Sequence, residues 1–162
     1  MTPSQVQVAW VKLANKSPGG SLKEHGGRLE QDTLKVLQNA KARFPNLQIA
    51  YLGSRIWAGN ARGGLNPEPY AYESGFVVRW LIQRQAGGDA ELALERAPLL
   101  LWGPYLWAEG EKGRQGDDLV WLPADFAGDG VHPSASGRDK VARLLLDFVT
   151  TDPLARSWFT GR

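Results

Sequence analysis

Three short apolar runs recur along the chain: Val6–Val11 (VQVAWV), Leu47–Leu52 (LQIAYL) and Pro98–Trp102 (PLLLW). Runs of this length, with little polar interruption, predict buried strands. Between them the apolar positions change period. Leu29, Thr33, Val36, Leu37, Ala40 and Phe44 fall at three-to-four spacing and stop at Pro45, which predicts a helix. Tyr70 to Arg84 repeats the pattern with Phe76, Val77, Trp80 and Leu81. A last helix is expected from about Ala135 to Val149, turning Val141, Leu144, Leu145 and Phe148 inward, with Ser134 as its N-cap just after Pro133.

Strands alternating with helices imply an α/β domain: a parallel sheet with right-handed crossovers and helices on both faces, a three-layer α/β/α sandwich. Such sheets carry their sites at the carboxyl ends of the strands. The loops leaving those ends are Lys12–Arg28, Gly53–Pro69 and Gly103–His132, long and rich in Gly and Pro. The 162 residues fit one domain, 1–162. Three strands make a thin parallel sheet, and the first begins within a few residues of Met1. The expectation is a partial domain, or one that completes its sheet by association.

Composition narrows the function classes. Hydrophobic residues make up 43% and charged residues 22%, as in ordinary soluble domains. The net charge of +2 comes from 19 Lys and Arg scattered among 17 Asp and Glu, without the clustered basic face that nucleic acid needs. No apolar run reaches the length of a membrane span, and Met1 is not followed by a signal-peptide pattern. Cysteine is absent, which excludes disulfides, thiolate metal sites and a Cys nucleophile, and leaves the compartment open. Seven Trp point weakly to a groove or interface, because each indole N–H needs a partner.

The histidines are His25 and His132. His132 stands three residues after Asp129 in Gly128-Asp-Gly-Val-His-Pro-Ser134, at the start of the last helix. A carboxylate at that spacing reaches back to the imidazole, fixes its tautomer and stabilises the imidazolium, which is what a general base requires. The alternative for the same residues is an Asp/Gly turn capping a helix, with an exposed His. His25, in Glu-His-Gly-Gly, is expected to be a solvated turn residue, and nothing in the spacing of the two histidines asks for a metal.

The block Asp129-Gly-Val-His-Pro-Ser-Ala-Ser-Gly-Arg138 and its amphipathic helix resemble the last conserved block of the SGNH (GDSL-type) ester hydrolases. The likeness continues through Phe148–Phe159. Ile49–Gly59, Asn66–Gly75 and Leu101–Trp107 are similar to segments of a bacterial, carbohydrate-esterase-like subgroup. The resemblance implies a flavodoxin-like fold without cofactor, with a Ser nucleophile on a Gly-Asp-Ser turn and a Gly and an Asn as oxyanion donors. Carried over, Asp129 matches the orienter and His132 the base. Asn15, just past the first strand, falls where the oxyanion Asn is expected. The implied substrate is a small ester or an acylated sugar.

The chain departs from that pattern in having no Gly-Asp-Ser. It resembles the C-terminal portion of such a domain, truncated at the N-terminal side. The nearest internal substitute is Gly53-Ser54 at a strand's carboxyl end, so Ser54 is either the nucleophile or a strand-end Ser bonded to loop backbone. Arg55, Glu68 and Glu73 follow, as a substrate-positioning cluster or as an Arg–Glu pair bracing the loop. Trp57, Trp102, Tyr105 and Trp107 form either an aromatic wall for a sugar ring or core filler. Two rival readings are a binding or scaffolding module that lost its nucleophile and an inactive fragment. The first strand is expected at a sheet edge, where pairing would produce a homodimer.

Overall fold

The structure is a computed structural model and describes residues Thr2–Gly161. Strands β1 (Val8–Val11), β2 (Ile49–Leu52) and β3 (Leu99–Trp102) form one parallel sheet in the order β1-β2-β3, with Val8 opposite Ile49 and Ile49 opposite Leu99. The helices are α1 (Gly27–Arg43), α2 (Tyr70–Ala86), α3 (Ala135–Thr151) and α4 (Pro153–Thr160). The chain is therefore α/β, with its strands in the three apolar runs. β1 is shorter than the run that contains it, because Pro3–Gln5 closes into a 3₁₀ turn and Val6 donates its N–H back to Pro3.

Strand alternation sends the side chains of β2 to the two faces of the sheet. Ala50 and Leu52 join Leu37 of α1, Leu81 of α2 and Leu100 of β3 in a buried cluster. Each Leu shielded this completely contributes about 1.5–3 kcal/mol. Tyr51 points to the other side, where its ring meets Phe148 of α3 edge-on at 5.2 Å and its hydroxyl accepts the indole N–H of Trp158 in α4 at 3.0 Å. A second core lies under the long loops: Ile56, Leu106, Trp121 and Phe126, with Val141 and Leu144 of α3 packed against it.

Local chemistry sets the helix ends. α1 stops before Pro45, which has no N–H to continue it. The Ser134 hydroxyl accepts from Gly137 N–H at 3.3 Å, the N-cap expected for α3. α4 was not foreseen. Asp152 ends α3 and caps α4, accepting from Leu154 N–H at 3.0 Å and Ala155 N–H at 2.9 Å, with Pro153 in the first helical position. The pair Asp152-Pro153 was the available signal.

The two sheet edges are finished differently. At β3 the Gln85 side chain of α2 accepts Leu100 N–H at 2.7 Å and donates to Pro98 O at 3.0 Å, so a side chain fills the place of another strand. β1 has strand neighbours on one side only. Beside it runs an apolar groove of about 390 Å³ lined by Val8, Trp10, Tyr51, Leu145, Leu146 and Phe159 among others. Leu146 is 54% exposed and Phe159 47%.

Candidate functional site

The segment carrying Asp129 and His132 is held as a small hairpin ahead of α3. Ala127 N–H donates to His132 O at 2.8 Å, Phe126 bridges Pro133 in antiparallel fashion, and Ser134 N–H donates to Asp125 O at 2.9 Å. Asp125 anchors the base of the hairpin. Its buried carboxylate pairs with Lys140 of α3 and accepts from Ser136 Oγ at 3.1 Å and Leu122 N–H at 2.9 Å. Burial alone would raise its pKa, but Lys140 and the Leu122 N–H outweigh that and hold it below the ordinary value. The Ser134 and Ser136 hydroxyls both donate to Ala124 O, at 2.7 and 3.1 Å, and are structural.

Within the hairpin one carboxylate organises the turn. Asp129 Oδ1 accepts the N–H groups of Val131 and His132, both at 2.9 Å, and Oδ2 lies 2.5 Å from His132 Nδ1. The imidazole contact, followed by the two backbone N–H groups, holds the Asp129 carboxyl well below the usual carboxylate range. An ionised carboxylate only accepts, so Nδ1 must carry the proton and donate it, which leaves the Nε2 lone pair free. Both side chains are exposed. The arrangement is an oriented imidazole with its basic nitrogen open to an incoming group.

The hairpin is fixed to the loop that leaves β2. Arg62 N–H donates to Asp129 O at 2.9 Å, and the backbone of Asn60 presses against Gly130. Gly130 has φ +71°, and a Cβ there would sit 1.9 Å from Asn60 O. Gly130→Ala should therefore cost at least about 1–3 kcal/mol, read as a lower denaturation midpoint at unchanged slope. An unchanged midpoint would show that the turn yields freely.

The other expected site residues are dispersed. Ser54 is fully buried, and its Oγ accepts Leu106 N–H at 3.1 Å, tying the β2 exit to the β3 exit. Without solvent access it offers no nucleophile to a substrate, and no hydrogen bond joins it to His132; the strand-end alternative describes it. Asn15 is half-buried in the loop after β1, and its side chain bonds to no described residue. Glu68 is a brace rather than part of a substrate-positioning cluster. It accepts from Ala58 N–H and the Trp107 indole at 2.9 Å and from Tyr72 N–H at 3.0 Å. Glu73 pairs with His25, so neither acid meets Arg55, and the expected Arg–Glu pair does not form.

His25 also departs from expectation. It is 2% exposed, lies in a π-helical turn (Leu22–Gly26) leading into α1, and sits edge-on to Tyr70 at 4.7 Å. The acceptor that buries it stands 48 positions away, so nothing local could reveal it. The aromatic residues divide. Trp57 packs against Phe126 and the second core. Trp102 and Tyr105, 6.3 Å apart, line a shallow groove with Tyr72, Gly75, Phe76 and Arg79, which neither Asp129 nor His132 lines. Among the described residues no cluster of His and acids is arranged to hold a metal, and no helix is long and apolar enough to cross a membrane.

Comparison with protein-family models, with curated proteins and with solved structures returned no match.

Proposed function

We propose that the Asp129–His132 hairpin is the base-and-orienter half of an ester-hydrolase site of SGNH type. In this reading the domain is the C-terminal part of a three-layer, flavodoxin-like sandwich. One observation carries it. A single ionised carboxylate holds both the imidazole Nδ1 and the two backbone N–H groups of its own turn, so His132 presents Nε2 outward in a fixed direction. His132 takes a proton from an attacking water and returns it to the leaving alcohol, while Asp129 stabilises the imidazolium between the two steps. Asn15 donates to the tetrahedral oxyanion. The likeness of the hairpin block to those hydrolases makes the substrate an acyl or acetyl ester on a small alcohol or carbohydrate.

The burial of Ser54 favours a second reading, a binding module that keeps the acid–base hairpin without a nucleophile of its own. Ester turnover by the chain, lost on His132→Ala, separates the two, and a serine-directed organophosphonate checks the assembly of the hairpin. It should leave Ser54 unlabelled, because the hydroxyl has no access, and should spare Ser134 and Ser136, whose hydroxyls are committed to Ala124 O. Labelling of Ser134 or Ser136 would mean the hairpin is assembled differently. Absence of both labelling and ester turnover would favour the binding module.

A further inference from the structure

Two cations follow the carboxyl ends of adjacent strands, and no acid among the described residues pairs with either. Lys12 directly follows β1, and Arg55 comes three residues after β2. Both are only partly accessible, and neither forms an ion pair with a described residue. The Arg55 Nε–H is buried without an acceptor. So is the indole N–H of Trp10, which lies beside Gly53, the residue whose N–H joins the end of β2 to Val11. Three acids that follow the strands in the chain are engaged elsewhere: Glu68 by three N–H groups, Glu73 by His25 and Asp129 by His132.

Withdrawing two like charges from water without a counter-ion opposes folding, and each makes the other worse. Burial first, and the Arg55 charge second, push the Lys12 amine down to about 8. Burial also lowers Arg55. Such an arrangement is retained where a ligand supplies the missing charge, since partial burial strengthens its attraction for an anion.

We infer that Lys12 and Arg55 form a subsite for an oxyanion, a phosphate or carboxylate group borne by the ligand of this domain. The subsite lies on the face where the ester-hydrolase reading places its substrate, and in that reading it selects an anionic ester. Its own test needs no turnover.

The full chain is titrated with inorganic phosphate and, separately, with acetate, against sodium chloride at matched ionic strength. Amide chemical shifts and melting temperature are followed throughout. Phosphate, acetate or both should shift the amides of the Lys12 and Arg55 loops and raise the melting temperature beyond the chloride control. Lys12→Met and Arg55→Met should weaken that binding at least tenfold, whereas Lys35→Gln, an exposed cation on α1, should not. Without anion both Met variants should melt higher than the parent, because each removes an uncompensated charge; loss of a structural brace would lower it. Arg55→Lys should keep part of the binding and carries the test if Arg55→Met does not fold. The greater response to phosphate or to acetate identifies the group. No response beyond chloride, undiminished binding in the variants, or Met variants that melt lower than the parent would overturn the subsite. Loss of ester turnover on His132→Ala bears on the hydrolase reading alone, so the two can fail separately.

Discussion

His132→Ala should abolish hydrolysis of p-nitrophenyl acetate, and Asp129→Asn should reduce it by on the order of a thousandfold or more. The first change removes the imidazole that, in the hydrolase reading, accepts the nucleophile's proton. The second keeps the shape of the turn but replaces an acceptor with an amide that can donate to Nδ1. That favours the tautomer in which the proton occupies Nε2, the position that must be empty. The paired result matters because any exposed imidazole attacks an activated ester slowly. Such background chemistry would survive Asp129→Asn, whereas catalysis by the oriented pair would not. Hydrogen bonding holds the Asp129 carboxyl well below its usual range, so it stays ionised through mild acid. His25→Ala, which removes the buried imidazole bonded to Glu73, should lower stability and leave turnover by the folded protein in place. Equal rates for His132→Ala and the parent would remove the hairpin from any catalytic role.

The second large effect expected is on assembly. β1 has a partner on one side only, it carries no charge, and the groove beside it exposes Leu146, Trp158 and Phe159. The opposite edge is different, since Gln85 already occupies it. Edges that are apolar and unguarded pair with other chains. A two-fold dimer through β1 and its groove is therefore expected at micromolar concentration, burying more than roughly 1,000 Å² in total and including Trp10. Leu146→Glu places a charge in that groove and should give a monomer in sedimentation experiments. A parent chain that sediments as a monomer would sink the proposal.

Much of the scaffold was legible because it rests on short-range rules. The three apolar runs became strands, and the periodic segments became α1, α2 and α3. Ser134 caps α3 as its place after Pro133 suggested. The hairpin was legible for the same reason, since Asp129 reaches only as far as His132. What stayed hidden depends on partners remote in the chain. Ser54 is enclosed where its Oγ accepts Leu106 N–H, and His25 is buried against Glu73. Arg55 lacks the acid that proximity in the chain promised, because Glu68 turns instead to Trp107. Residue type and spacing carry little information about which of several nearby acids a cation will meet.

The hairpin's closeness in the chain also bears on the order in which the molecule forms. Every bond that fixes Asp129 to His132 closes a loop of a few residues, and such loops close in well under a microsecond. The parallel sheet must instead bring together segments about forty and fifty residues apart, which is slow because the chain entropy is lost before the contacts are gained. The acid–base pair is therefore expected to sample its bonded form on a timescale separate from that of the framework that carries it. Its internal hydrogen bonds belong to the turn, while Arg62 N–H and the Asn60 backbone fix where the turn sits on the loop that leaves β2.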